Sequence, residues 1–274
     1  MLSYQHIYHA GNMADLHKHV LLSAMLDYLT AKPKPLSYIE THAGRGIYDL
    51  TAPEALKTGE AESGVLSRAG CLPDDHPYRR VLARVRALHG DAAYPGSPMI
   101  AAMLLRPDDR MTLAEMHPRE FAALEQSMRP FAARCRREDG LQLALAATPP
   151  EPRRGLMLID PSYEVKADYR ALPVLIGKVH AKWNVGVVVL WYPILASGTH
   201  APMLAALDAA GLPGTLRHEL RFPPAREGHG MVGSGLFVVN APFGLEDEAQ
   251  RLSALFGQDR PAQDVSTADS RRRR

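Results

Sequence analysis

Hydrophobic positions along the chain change their period several times, and these changes outline alternating helices and strands. After Asn12, the residues Leu16, Val20, Leu21, Ala24, Met25 and Tyr28 recur at helical spacing, and Asn12 with Asp15 three residues on has the form of a helix start. This helix is expected to end before Lys32-Pro33-Lys34-Pro35. LSYIETHAGRG (36–46) follows as a short apolar strand running into a glycine turn. From about Ala52 to His89 the chain becomes rich in charge, proline and short helical patterns, and VLARVRALHG (81–90) has the pattern of an amphipathic helix. After YPGSP (94–98) the alternation resumes. A helix through Ala101–Leu105 leads to a strand MTLAEMH (111–117), then a helix from Pro118 to Met128. A short strand precedes Glu138-Asp139-Gly140, and another follows as GLMLIDPSY (155–163). VGVVVLWYP (185–193) is a continuous apolar run, as in a strand buried on both faces. A helix near Met203–Ala210 and two strands, LRHELRF (216–222) and GLFVVNAPF (235–243), close the fold.

Strands alternating with helices predict an α/β domain with a largely parallel sheet. The expected organisation is one α/β domain from residues 1–51 and 93–260, an inserted helical lobe at 52–92, and a disordered tail at 261–274. Of the 274 residues 46% are hydrophobic and 23% charged, the balance of a soluble globular protein with material for one large core. No run approaches the roughly 18 apolar residues of a membrane span, and the start shows no signal-peptide pattern. Cys71 and Cys135 sit in no metal-ligand spacing, so two reduced thiols in the cytoplasm are expected. The net charge of +2 is uninformative, but Arg129, Arg134, Arg136, Arg137, Arg153 and Arg154 fall in one stretch and Arg271 to Arg274 end the chain. Such runs read equally as a solvated face with a frayed tail or as a surface for phosphate.

In doubly wound sheets ligands sit at the carboxyl ends of the strands, and four suggestive clusters fall there in order. The first is Glu40-Thr41-His42-Ala43-Gly44-Arg45-Gly46, where glycines let backbone approach a ligand. The second is Glu115, a carboxylate placed to hold a ribose diol. The third is Asp139-Gly140, read equally as a plain turn. The fourth is Asp160-Pro161-Ser162-Tyr163. Here the Asp160 carboxylate and the Pro161 carbonyl offer acceptors for the two hydrogens of an exocyclic amine, and Tyr163 offers a ring to stack a flat base.

DPSY resembles the D-P-P-Y signature of amino-group methyltransferases acting on adenine, and the upstream clusters resemble Rossmann-like methyltransferases generally. More specifically, the chain is similar to the bacterial 23S ribosomal RNA adenine-N6 methyltransferases of the J family. The motifs that carry this are LSYQHIYHAGNMADLHKH (2–19), IETHAGRGIY (39–48), YPGSP, LAEMHP (113–118), LIDPSYE (158–164), LWYP (190–193) and GMVGSGLFVVNAP (230–242), and they cover about Met1 to Leu245. Two positions depart from general patterns. Ser162 replaces the second proline of D-P-P-Y, which removes some rigidity but neither amine acceptor. His42 replaces the first glycine of the superfamily loop and agrees with the family.

The resemblance implies a Rossmann-like methyltransferase sheet with an N-terminal helix, S-adenosylmethionine as cofactor and 23S ribosomal RNA as partner. It implies that Lys18, His19, His42, Ser97, Glu115, Asp139, Gly140 and Asp160 line the cofactor pocket, with Glu115 on the ribose hydroxyls and Asp139 on the adenine amine. Asp160 would be catalytic, and Tyr4, Pro161 and Tyr163 would meet the RNA substrate. A cytoplasmic monomer without metal or membrane attachment is expected. The cluster His6, His9, His17 and His19 lacks the spacing of a metal site. The open alternatives are a DNA adenine methyltransferase, for which no sizeable target-recognition domain is visible, a protein-glutamine methyltransferase, which would favour asparagine at position 160, and a non-catalytic RNA-binding protein on the same fold.

Overall fold

The computed structural model describes residues 4–224 and 230–257. Asn12 turns the chain into α1 (Met13–Thr30) by accepting the Asp15 amide on its side chain at 2.9 Å, and the helix stops ahead of the prolines as expected. Beyond it run β1 (Ser37–Glu40), β2 (Ile47–Asp49), α2 (Pro53–Thr58), α3 (Pro77–His89), β3 (Ala93–Pro95), α4 (Ser97–Leu104), β4 (Arg110–Ala114) and α5 (Pro118–Met128). The second half runs β5 (Ala133–Arg136), α6 (Gly140–Ala146), β6 (Gly155–Ile159), α7 (Asp168–Lys182), β7 (Val187–Leu195), α8 (Ala201–Ala209), β8 (Leu216–Arg221), β9 (Met231–Val239) and α9 (Leu245–Gly257).

Seven strands form one sheet in the order β5-β4-β1-β6-β7-β9-β8. The first five are mutually parallel, whereas β9 runs antiparallel to both β7 and β8. This is the expected Rossmann-like, largely parallel sheet, with an antiparallel pair at one edge. Alternate side chains feed two cores on opposite faces. Leu156 and Leu158 of β6 and Val187 and Val189 of β7 join α1, α3, α4, α5 and α9. Met157 and Ile159, with Val188 and Leu190, join α6, α7 and α8.

Residues 53–89 are helical, but they are not independent of the rest: Tyr78, Val81, Leu82 and Val85 of α3 are buried in the same core as Leu21 and Met25 of α1. The lobe leaves and re-enters through an antiparallel ribbon of β2 and β3, registered Ile47↔Pro95 and Asp49↔Ala93. The sequence did not point to this ribbon, because three residues are too few to show a period. Nor did it point to α7, whose interior holds Pro173, or to α9, where Leu245, Ala249 and Leu252 do carry helical spacing. The strands read as MTLAEMH and GLMLIDPSY stop at Ala114 and Ile159, which leaves Glu115 and Asp160 just beyond them. The expected disordered tail and its arginines lie outside the described residues.

Candidate functional site

The chain lays β4 on one side of β1 and β6 on the other, so the loops after these strands diverge and leave a crevice at their carboxyl ends. That crevice is a cavity of about 580 Å³. Lys18, His19, His42, Ser97, Glu115, Asp139, Gly140 and Asp160 all line it, as do Tyr4, Pro161 and Tyr163. Residues as distant in sequence as Tyr4 and Tyr163 thus share one cavity, because α1 and the N-terminal segment meet the strand ends there.

One half of the cavity is built from backbone donors and carboxylates. Glu115 Oε2 accepts the Gly44 amide at 2.9 Å, and Oε1 accepts the His117 amide at 2.7 Å. Burial raises the Glu115 carboxyl above its ordinary range while these two amides oppose the shift. Each oxygen keeps a lone pair for a ligand hydroxyl. Gly44 adopts φ +64, and a Cβ there would meet Tyr48 Oη at 2.5 Å, so the turn admits only glycine without displacement. Asp139 caps α6, its Oδ1 accepting from Leu141 N at 2.8 Å and Gln142 N at 3.1 Å, which leaves Oδ2 as a further acceptor. Gly140 has a packing reason beside any ligand role: a Cβ would lie 1.8 Å from the Thr41 carbonyl oxygen. His42 bonds Thr41 Oγ1 at 2.7 Å, and burial pushes its imidazole down to about 4.

The other half centres on Asp160. Its Oδ2 lies 2.5 Å from Lys18 Nζ, which is also 3.2 Å from Asp15 Oδ1. Burial works against the Lys18 charge, but the two carboxylates overcome it and hold the ammonium above the usual lysine range. Burial likewise opposes ionisation of Asp15, yet His6 and the Lys18 ammonium keep that carboxyl well below the ordinary range. Asp15 Oδ2 accepts from the Gly11 amide at 3.0 Å and from His6 Nε2 at 2.8 Å, so His6 Nε2 carries a hydrogen. His6 Nδ1 then meets Tyr4 Oη at 2.8 Å, and the Tyr4 amide donates to Glu164 Oε2 at 3.2 Å. The N-terminal segment is therefore tied to both α1 and the loop after β6.

Tyr163 has φ 57, a left-handed conformation that costs a non-glycine residue about 1–3 kcal/mol. It is held there by its hydroxyl donating to the Trp191 carbonyl at 2.7 Å and by its ring lying 4.6 Å from that of Tyr169. Ser97 and His19 sit deeper. Ser97 Oγ donates to Glu40 Oε1 at 2.5 Å and Tyr38 Oη to Glu40 Oε2 at 2.8 Å, while burial lifts the Glu40 carboxyl to about 8 despite both donors. His19 Nδ1 meets Tyr94 Oη at 2.7 Å, and burial pushes this imidazole down to about 3.

Sequence reasoning missed Asp15, His6 and Trp191 as parts of the site, and Glu40 was named only as part of its loop. The N-terminal histidines disperse to different partners: His6 to Asp15, His9 to Glu60, His17 to Ser234 and His218, and His19 to Tyr94. Among the described residues no group of three or more His, Cys, Asp or Glu could hold a metal ion, and no helix is long and apolar enough to cross a membrane.

Comparison with known proteins gives relatives matched over nearly the whole chain. A family model described as Ribosomal RNA large subunit methyltransferase D, RlmJ, matches residues 33–264. The protein named Ribosomal RNA large subunit methyltransferase J of Escherichia coli (strain K12) is 38% identical over 256 residues, 92% of this chain and 91% of its own. Its namesake in Haemophilus influenzae is 36% identical over 261 residues, 92% of each chain. A crystal structure of a Legionella pneumophila protein superposes with a TM-score of 0.80 at 34% identity, covering 92% of this chain and 95% of that one.

Proposed function

The chain belongs to the RlmJ family of ribosomal RNA large subunit methyltransferases, and from that premise we propose that its cavity transfers a methyl group from S-adenosylmethionine to the N6 amine of an adenine in 23S ribosomal RNA. The observation that carries the chemistry is the placement of Asp160 and Pro161 at the end of β6, in one cavity with Glu115 and Asp139. A nucleoside that carries its amino acid on a 5′ sulfonium suits the second pair. Glu115 has lone pairs for a ribose diol, Asp139 Oδ2 can accept an adenine amine, and the Gly44 turn brings backbone close. When bound, S-adenosylmethionine supplies a methyl group already activated on a sulfonium.

The residues of the chain then have distinct tasks. The Asp160 carboxylate and the Pro161 carbonyl accept the two amine hydrogens, which aims the nitrogen lone pair out of the base plane and stabilises positive charge developing on nitrogen. Lys18 holds Asp160 in one rotamer through the 2.5 Å contact. Tyr163 supplies a ring against which the unstacked base can lie. Once the methyl is on nitrogen and the cofactor has left as the neutral thioether S-adenosylhomocysteine, the extra amine proton would pass to the Asp160 carboxylate that accepts its hydrogen bond, so Asp160 need not be a strong base beforehand.

The direct test is mass spectrometry of nucleosides from RNA and duplex DNA incubated with protein and labelled S-adenosylmethionine at matched salt, because phosphate contacts make any affinity salt-dependent. N6-methyladenosine in RNA with little product in duplex DNA is expected. Equal methylation of duplex DNA would favour the DNA-modifying alternative.

Ser162 separates the enzyme from a non-catalytic RNA binder. Neither amine acceptor belongs to residue 162, and a proline there would act mainly on backbone entropy, about 0.4–1 kcal/mol where the native angles suit it. Wild type is expected to be active, with Ser162→Pro changing the single-turnover rate by less than about tenfold, which corresponds to roughly 1.4 kcal/mol. An inert wild type rescued by Ser162→Pro would mark a decayed site.

A further inference from the structure

Trp191 occupies a telling position in the sheet. The parallel pairing of β6 with β7 ends at Ile159↔Leu190, so Trp191 stands one residue further on, level with Asp160. It is partly exposed inside a strand whose preceding residues are all buried, and the opening is the cavity it lines. Its ring lies beneath Lys18 Nζ, 5.5 Å from the centroid, and its carbonyl receives the Tyr163 hydroxyl. Trp191 therefore contacts both Lys18, the partner of Asp160, and Tyr163.

The indole itself is fixed from behind. Trp191 Nε1 donates to Ser234 Oγ at 2.9 Å, Ser234 Oγ meets His17 Nδ1 at 2.9 Å, His17 Nε2 meets His218 Nδ1 at 2.9 Å, and His218 Nε2 meets Ser253 Oγ at 2.7 Å. Five elements contribute one residue each: β7, β9, α1, β8 and α9. Ser234 and His17 are fully buried. An indole nitrogen only donates, and this sets the direction of the whole chain. Ser234 must accept from Trp191, and its own hydroxyl hydrogen finds an acceptor in His17 Nδ1. His17 then donates from Nε2 to His218 Nδ1, and His218 donates from Nε2 to Ser253. The reverse arrangement also makes every link, but it leaves the hydroxyl hydrogen of the buried Ser234 without an acceptor along the chain, which is unfavourable. Both histidines are thereby assigned as Nε2–H tautomers.

Resting on the methyl-transfer reading of the Asp160 site, we infer that the buried chain Ser253–His218–His17–Ser234 is a positioning device for Trp191, and through it for Lys18 and Tyr163. It ties the C-terminal helix to the half of the site that receives the target base. None of its four members lines the cavity, so each acts through the indole.

The chain has two tryptophans, and the indole of Trp183 donates instead to the Arg153 carbonyl. Full-length ¹⁵N-labelled protein without RNA or cofactor should therefore show two indole N–H resonances, assigned with Trp191→Phe. Ser234→Ala is expected to move the Trp191 resonance upfield and speed its solvent exchange, leaving that of Trp183 in place. The same variant should lower kcat by about tenfold to a hundredfold, the scale of a small misplacement of reacting groups, with KM for S-adenosylmethionine unchanged. His218→Leu should behave likewise. His218→Asn keeps an acceptor where Nδ1 stood and should stay within about threefold of wild type, under 1 kcal/mol. An unmoved Trp191 resonance or an unchanged kcat in Ser234→Ala overturns the inference, and should His218→Leu not fold, Ser234→Ala alone decides. A wild-type protein that methylates no adenine in RNA would refute the functional reading instead, since the indole signals are read without substrate.

Discussion

Asp160→Ala is expected to abolish methyl transfer while the protein stays folded. In the proposed reaction Asp160 supplies one of two acceptors for the target amine, and removal of one preorganised group facing developing charge typically costs about 10²–10³ in kcat. Loss of the aim of the lone pair adds to this. The fold should survive, because the buried Lys18 ammonium keeps Asp15 as a partner at 3.2 Å and Asp160 lies in a loop rather than in β6. Asp160→Asn is the sharper variant: it preserves shape and one acceptor oxygen but discards the charge that Lys18 faces at 2.5 Å. Its rate should fall between wild type and alanine. Single-turnover methylation with circular dichroism as a control for folding measures both effects. Full activity in purified Asp160→Ala would take the carboxylate out of the chemistry.

The second large effect is on cofactor binding. Glu115→Ala should weaken S-adenosylmethionine binding by about tenfold or more, since each charge-assisted bond to a ribose hydroxyl is worth roughly 1.5–3 kcal/mol. The substitution also frees the Gly44 and His117 amides, which Glu115 holds at 2.9 and 2.7 Å, so the turn after β1 loses this side-chain tie and keeps the Ala43 amide on the Ala114 carbonyl of β4 at 2.9 Å. Glu115→Gln keeps one carbonyl oxygen and should lie between the two. Titration calorimetry gives the affinity directly, and an unchanged value in Glu115→Ala removes this residue from the pocket. Asp160 and Glu115 variants should thus separate cleanly, the first in kcat and the second in cofactor affinity.

Much of the site was legible because its residues follow strands. Glu115 and Asp160 each stand just past an apolar run, and a run that ends in a polar residue can be located from one sequence, whereas Asp139 follows the arginine-rich Ala133–Arg136 and was marked by its Asp-Gly turn. The helix Pro118–Met128 was legible to the residue because His117, Pro118 and Glu120 mark its first turn. Lys18, His19, Ser97 and Tyr4 came only through the family resemblance. The remainder depended on pairings that no local pattern encodes. Lys18 meets Asp160 across 142 residues and His17 meets Ser234 across 217. Asp15 was hidden for another reason. A charged residue in an apolar-periodic helix is normally assigned to a solvated face, yet Asp15, His17, Lys18 and His19 are all buried. From Ala14 to Ser23 the helix is buried all round, among the sheet, the lobe, α4, α9 and the site itself, and there the usual rule for sorting its polar residues fails.

That enclosure gives α1 a second significance, for quality control. A copy of the protein with a formed sheet but an undocked α1 has no ammonium at Asp160 and no imidazole behind Ser234. On the proposed mechanism such a copy should be inert towards RNA however much secondary structure it contains. Activity regained during refolding is then expected to report the seating of this helix rather than the assembly of the sheet.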